Sequence, residues 1–172
     1  MFAEECGTYN LRLAKRAMGE NEIHELLRTA QVGRLGLSRN NQPYVVPLNF
    51  AYEKGHIYFH CADTGMKLEF LQGNSLACFE IDEFIETVTA PVACSYDTAY
   101  RSVIAFGKAR ILNSLQETTD ALRLIVDKYA GNENAQKLEA RIVDKHRSSE
   151  GAKTIVVDMT VEQMTGKHNL ID

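Results

Sequence analysis

The stretch of residues 43–67 constrains this chain most, because two alternating runs within it end in a turn that contains glycine and is followed by lysine. Residues 43–52 form the first run, residues 53–55 a short turn, and residues 56–62 the second run. Alternation of this kind on both sides of a short loop predicts a β-hairpin. We therefore expect two strands that form a wall, with an anion-binding turn at its end.

Further segments with strand patterns flank this hairpin. The six predicted strands are residues 32–39, 43–52, 56–62, 75–84, 100–112 and 153–159. Helices are predicted over residues 20–30, 66–72 and 114–143; in the last, Ser114 and Glu117 have capping-box spacing and Gly131 interrupts the pattern. Gly107 is expected to permit a bulge in the fifth strand. Six strands with few helices between them argue against a parallel Rossmann sheet and predict a small antiparallel β-barrel.

Length and charge narrow the classes of function. With 172 residues we expect one domain, 1–172, with an N-terminal arm over residues 1–19 and a helical insertion over residues 114–143. A net charge of −4 gives no general attraction to nucleic acid or acidic membranes. Neither a signal peptide nor a membrane span is evident, which predicts a cytoplasmic protein.

The cysteines and histidines do not have the spacing of metal ligands. Cys61 and Cys78 lie in apolar strand patterns and are expected to be buried free thiols, which favours a reducing compartment. We therefore expect no metal site.

The two faces of the first run differ in character. One face carries large apolar side chains suited to a core: Tyr44, Val46, Leu48, Phe50 and Tyr52. The other is small and partly polar: Pro43, Val45, Pro47, Asn49 and Ala51. A flat ligand could lie against the small face, where Asn49, Tyr58 and His60 would form a shallow pocket. An ordinary solvent-exposed face explains the same pattern equally well.

The turn after the second run has features of a phosphate site. Gly65 allows close approach of the backbone, the following helix offers unpaired N–H groups, and Lys67 adds a positive charge. In the alternative interpretation, Thr64 or Asp63 caps the helix and Lys67 is a solvated surface residue.

Five blocks, in order, resemble those of the pyridoxamine 5′-phosphate oxidase-like, FMN-binding split-barrel superfamily. The likeness is closest to its nitroimidazole-resistance, or flavin-nucleotide-binding, branch. The blocks are PYVVPLNFAY, IYFHCADTGMK, SLACFEID, YRSVIAFGKARI and MTGK. The likeness as a whole runs from about residue 16 to residue 167, and the helices of residues 114–143 are its least characteristic part.

This resemblance implies a mainly β, six-stranded antiparallel split barrel that forms a homodimer with two FMN sites at the interface. The implied contacts to the isoalloxazine, largely through the backbone, are Pro47, Leu48 and Asn49. Residues implied to lie along the cofactor are His60, Cys61 and Ala62. Gly65 and Lys67 would hold the phosphate. Arg101 and Ser102 would add phosphate or interface contacts, and residues 165–167 would reach the partner's site.

Two departures argue against oxidation of pyridoxamine phosphate. The vitamin-B6 oxidases carry two adjacent basic residues at the phosphate turn, whereas Met66 precedes Lys67 here, and their C-terminal arginine motif is missing. The resemblance instead implies a flavin-dependent oxidoreductase that reduces a small acceptor such as a nitroaromatic. His60 is the candidate proton donor, although a role as a cofactor contact or hydrogen-bonded strand residue is favoured over catalysis.

Two other functions stay open at this point. One is a haem-binding protein with His60 or His168 as the ligand, and the other is a non-enzymatic flavin carrier or sensor. The electron donor, the acceptor and the choice between FMN and a deazaflavin are likewise open.

Overall fold

Seven antiparallel strands and five helices make up the described residues, 11–170, of the computed structural model. The strands are β1 (Gly33–Arg39), β2 (Gln42–Leu48), β3 (Ala51–Glu53), β4 (His56–Ala62), β5 (Leu76–Val88), β6 (Asp97–Ile111) and β7 (Thr154–Asn169). The helices are α1 (Glu20–Thr29), α2 (Met66–Gly73), α3 (Leu115–Ala130), α4 (Asn132–Gln136) and α5 (Ala140–Lys145). All strands belong to one sheet in the order β2-β1-β5-β6-β7-β4-β3.

The two edge strands of this sheet, β2 and β3, are consecutive in the chain. Only Asn49 and Phe50 separate them, so the chain crosses from one sheet edge to the other within two residues. Joining the edges in this way gives the antiparallel split barrel that was predicted.

The prediction of six strands was wrong in one place, because residues 42–53 form two strands instead of one. Pro47 and Leu48 pair with β1, whereas Ala51 already pairs with Tyr58 of β4. The ladder therefore changes partner at residues 49–50.

The predicted hairpin between residues 43–52 and 56–62 is correspondingly short, with three residue pairs between β3 and β4. β2 instead forms a hairpin with β1 through Asn40 and Asn41, whose φ angles are 51° and 62°. Asparagine tolerates positive φ, and such a two-residue turn matches the twist of paired strands. The other neighbour of β4 is β7, with which it shares seven pairs.

The barrel core collects the inward side chains of the sheet. The largest fully buried side chains include Phe50, Phe59, Phe79, Leu35, Ile57, Ile81 and Met159. α1 adds its apolar face, Ile23, Leu26 and Leu27, to the same cluster. Each such side chain contributes roughly 1.5–3 kcal/mol through burial. The predicted alternation of residues 43–50 is confirmed, but Ala51 is buried rather than exposed.

Two glycines in the long strands allow close packing. The register of β6 against β7 shifts between Phe106 and Gly107, which confirms the predicted bulge. A Cβ at Gly107 would lie 1.9 Å from the carbonyl oxygen of Thr160. At Gly166 a Cβ would lie 2.4 Å from Ile23, so this glycine lets α1 approach the sheet.

The last strand is much longer than predicted. β7 continues to Asn169 and pairs with β6 over its whole second half, so residues 160–169 are a strand and not a tail. Ala17 forms an isolated bridge with Lys167 on the same strand. The first ten residues of the predicted N-terminal arm, with Cys6, lie outside the described residues.

The helices after β6 differ in part from the prediction. The break at Gly131 is confirmed, with φ +85°, but two short helices follow it, and α5 ends at Lys145. The capping box is half formed: the Glu117 N–H donates to Ser114 Oγ at 3.4 Å, while the Glu117 carboxylate pairs with Arg110. None of the helices within residues 11–170 combines the length and apolar character that a membrane crossing needs.

Candidate functional site

The turn that joins β4 to α2 has an open N-terminal helix end. Gly65 is the N-cap residue at φ +123°, and no side chain caps the helix. The alternative in which Thr64 or Asp63 caps α2 is therefore wrong. A Cβ at Gly65 would meet nothing within 4 Å, so the space beside this backbone is free. The first N–H groups of a helix lack intrahelical acceptors and attract anions.

Lys67 sets the electrostatics beside this helix end. Burial, with a smaller contribution from the Lys67 charge, lowers the pKa of His60. Burial raises the pKa of the Cys61 thiol, which Lys67 partly opposes. At neutral pH His60 is therefore a neutral imidazole and Cys61 a protonated thiol, so Lys67 supplies the net charge of this group. An anion bound here would meet the charge of Lys67, which Asp63 of the same turn and Glu69 of α2 partly oppose.

The chain crossing lies next to this group. Ala51, the first residue of β3, is paired with Tyr58, which lies two residues before His60 on β4. Asn49 is exposed, and it directly follows Pro47 and Leu48 at the end of β2. The chain crossing and the predicted phosphate turn are therefore both attached to β4, the first through the pairing of Ala51 and the second as the continuation of the strand.

Arg101 and Ser102 are not part of this arrangement within one chain. In the sheet, the backbone of Arg101 lies opposite His168 of β7, and the backbone of His60 lies opposite Val156 of the same strand. These two positions on β7 are twelve residues apart, which is about 40 Å along the strand. The Arg101 guanidinium contacts Glu83 twice, at 2.7 and 2.6 Å. Ser102 Oγ donates to the Lys167 carbonyl at 3.5 Å. A cofactor role for these two residues stays a prediction that needs a second chain.

Tyr58, predicted to share a pocket with His60, borders a buried ion-pair network instead. Asp158, with its side chain 3% exposed, lies 2.8 Å from His56 and 3.1 Å from Arg110. Arg110 continues the network to Glu117 of α3 at 3.1 Å. Burial, reinforced by the nearby Asp158 charge, raises the pKa of Tyr58. The network holds α3 against the outer face of β4, β6 and β7.

The sequence did carry a signal for Asp158. An aspartate inside the apolar run IVVDM is a charge that must be paired if the strand is buried. Two further residues, Lys128 and Tyr129 on α3, contact Phe50 at the chain crossing. Their separation of nearly 80 residues from the crossing left no local signal for that contact.

The outer face of β2, β1, β5 and β6 exposes apolar side chains. Val45, Leu76 and Ile104 are 64%, 54% and 38% exposed. A cavity of about 590 Å³ lies on this face, lined in part by Cys78 and Phe106. Cys78, like Cys61, is a half-buried free thiol and not a fully buried one as predicted. Within residues 11–170, no three His, Cys, Asp or Glu side chains come together as a metal-binding group.

Comparison with known proteins identifies the family that has this architecture. A sequence profile of the family described as pyridoxamine 5′-phosphate oxidase matches residues 19–168. The chain belongs to this family. The profile match includes β1 to β7 almost completely, and with them both halves of the site described above.

Several proteins with solved structures share the fold of this chain. A proposed 5-nitroimidazole antibiotic resistance protein from Bacteroides thetaiotaomicron is 27% identical, with 87% of this chain and 83% of that chain covered and a TM-score of 0.66. The flavocytochrome Anf3 from Azotobacter vinelandii is 21% identical, with 95% of this chain and 74% of that chain covered and a TM-score of 0.78.

Among proteins compared by sequence, an uncharacterized protein of Rhizobium meliloti (strain 1021) is 24% identical over 101 residues. That match spans 59% of this chain and 60% of the relative's own length.

Proposed function

We propose that this member of the family binds FMN and uses it to reduce a small acceptor of the nitroaromatic class. The observation that carries the proposal is the open N-terminus of α2, where Gly65 and Lys67 stand beside His60 at the end of β4. A helix end without a side-chain cap, next to a lysine, fits a phosphate monoester. The likeness to the proposed nitroimidazole resistance protein supports the acceptor class.

Each part of the site has a role in this proposal. Residues proposed to face the isoalloxazine are Pro47, Leu48 and Asn49, and those proposed to lie along the cofactor are His60, Cys61 and Ala62. Gly65 and Lys67 would hold the phosphate. Bound FMN supplies the electron transfer, which needs no nucleophile from the protein. The protein contributes binding and orientation and limits access of water.

His60 is proposed to respond to the phosphate. A phosphate dianion at Lys67 offsets the charge that helps to lower the pKa of His60, so this pKa should rise when FMN binds. The imidazole would then be a better proton donor to a reduced acceptor.

We propose that the site is completed by a second copy of this chain. The exposed Val45, Leu76 and Ile104 on the outer sheet face fit a homodimer interface, because monomers seldom expose a continuous apolar patch. A dimer would also give Arg101 and Ser102 access to a cofactor held by the other chain. Sedimentation of the flavin-bound protein as a monomer would contradict this arrangement.

The experiment is a titration with FMN followed by flavin fluorescence and visible absorption. Lys67→Met should weaken FMN binding by roughly 10- to 100-fold, the effect of losing one charge-assisted contact to phosphate. Lys54→Met is the matched control, because Lys54 is 89% exposed in the turn between β3 and β4. Equal affinities of both variants and the unmodified protein would refute the phosphate assignment.

Addition of NADH or NADPH to the flavin-bound protein then tests catalysis. Bleaching of the flavin bands, and their return when a nitroaromatic is added, would support the oxidoreductase. Flavin that binds but responds to neither nicotinamide nor acceptor would favour a carrier or sensor.

Haem binding is the second candidate, favoured by the likeness to a flavocytochrome and by the neutral state of His60. A neutral imidazole is the form that ligates iron. Addition of haemin should then give a Soret band that His60→Ala or His168→Ala removes. Retention of the band in the double variant would exclude both histidines as ligands.

A further inference from the structure

The chain crossing between β2 and β3 needs hydrogen-bond partners from outside the sheet. Phe50 lies between the two ladders, after the last pair of β2 with β1 and before the first pair of β3 with β4. Its side chain is fully buried, so its backbone groups lie where an unpaired N–H or C=O is costly.

Tyr129 of α3 supplies these partners. Its hydroxyl oxygen accepts the Phe50 N–H at 3.0 Å. The hydroxyl has two carbonyl oxygens within reach as acceptors for its proton, that of Gln31 at 2.7 Å and that of Phe50 at 3.2 Å. One phenol therefore joins the crossing to the loop between α1 and β1.

Lys128, the preceding residue, fixes the Phe50 side chain. The ammonium group lies 3.6 Å from the centroid of the Phe50 ring and 3.4 Å from the Leu27 carbonyl oxygen, to which it donates. The same ring meets Phe79 edge-on, with centroids 4.8 Å apart. The Phe50 ring thus packs against Phe79 on the side of the core and against Lys128 on the side of α3.

We propose that Tyr129, assisted by Lys128, is a positioning residue for the cofactor. It holds residues 47–49, which immediately precede Phe50, in the conformation that presents their backbone to the isoalloxazine. The part of this inference that concerns the cofactor rests on the proposed function. The part that concerns the chain crossing does not depend on it.

The first test uses the protein without cofactor, so that it does not depend on flavin binding. Tyr129→Phe removes only the hydroxyl. In amide hydrogen exchange, peptides covering residues 47–50 should exchange at least tenfold faster in the variant, while peptides from β5 and β6 keep their rates. Unchanged exchange at residues 47–50 would overturn the proposal, whatever the protein binds.

The second test measures the consequence for the cofactor. Tyr129→Phe should raise the Kd for FMN about tenfold and change the circular dichroism of the bound flavin in the visible range. Lys128→Met, which keeps an apolar contact with Phe50, should have a smaller effect in the same direction. Leu122→Ala is the control, because Leu122 packs against a separate apolar cluster formed by Leu112, Ala121 and Val156.

The outcomes separate the two proposals. If Leu122→Ala weakens FMN binding as much as Tyr129→Phe, a general loss of α3 packing explains the effect and the positioning role is wrong. If exchange rises but the Kd and the flavin spectrum stay the same, Tyr129 holds the crossing without positioning the cofactor. If the unmodified protein binds no FMN, the proposed function fails, and the exchange experiment still decides whether Tyr129 holds the crossing.

Discussion

Asp158 is the buried charge on which the docking of α3 depends, and Asp158→Asn should therefore destabilise the protein strongly. The substitution keeps the shape of the side chain but removes the charge that His56 and Arg110 share. Loss of one partner of a fully buried pair costs about 3–5 kcal/mol. Here His56 and Arg110 are 36% and 55% exposed, and Arg110 keeps Glu117, so water and Glu117 recover part of the loss. We expect a net loss of about 2–3 kcal/mol in the free energy of unfolding.

Urea unfolding followed by far-UV circular dichroism measures this loss. With a slope of about 2 kcal/mol/M, the midpoint should fall by roughly 1–1.5 M. Glu117→Gln is the matched acid-to-amide control on the exposed side of the same network and should cost at most about 0.5 kcal/mol. In an Arg110→Met background, Asp158→Asn should cost about 1 kcal/mol less, because the pair is already broken. Equal costs for Asp158→Asn and Glu117→Gln would refute the reasoning that burial determines the value of this network.

Three other predictions follow from contacts and charges described above. Lys67→Met should raise the pKa of His60, because the substitution removes a positive charge that lowers this pKa. NMR titration of the imidazole resonances measures the change. An unchanged pKa would mean that Lys67 lies too far from His60 to affect it. Gly107→Ala should lower the free energy of unfolding, measured in urea, by at least about 3 kcal/mol, because the new Cβ would overlap the Thr160 carbonyl. A loss below about 1 kcal/mol would mean that the bulge relaxes to accept the Cβ. Burial lowers the pKa of Lys128 from 10.5 to about 8, so between these pH values the unfolded chain binds more protons and stability rises with pH. Unfolding measured at pH 8 and 10 should show a smaller rise in Lys128→Met, and an identical rise would exclude Lys128 as its source.

Much of the fold was predictable where local pattern and local chemistry agree. The bounds of α1, α2 and β4, the Asn40–Asn41 turn and the bulge at Gly107 follow from apolar periodicity and from the special roles of asparagine and glycine. The partners of each strand were harder to predict, because alternation identifies a buried face without identifying the neighbouring strand. The break at residues 49–50 leaves the alternation of residues 44–50 intact, so the alternation alone does not locate it.

The residues of the candidate site, too, were predictable only where the signal lies in neighbouring residues of the sequence. The turn with Gly65 and Lys67 was accessible from sequence, since glycine and lysine at a helix start have a direct chemical meaning. Whether those residues bind FMN stays a prediction. Tyr129 had no such local signal, because its hydroxyl contact with Phe50 joins residues 79 positions apart. Long-range polar contacts of this kind arise from the packed fold and leave no periodic trace.

The position of β7 has a consequence for the order in which the protein can assemble. This strand lies in the middle of the sheet, between β6 and β4, although it follows the other six described strands in the chain. Until it emerges, β3 and β4 have no link to β5 and β6 through the sheet, and the nascent chain holds two separate sheet fragments. A chain stalled or cleaved before Thr154 would therefore keep the turn with Gly65 and Lys67 yet lack a closed barrel. Synthesis must therefore pass β7 before the barrel can close.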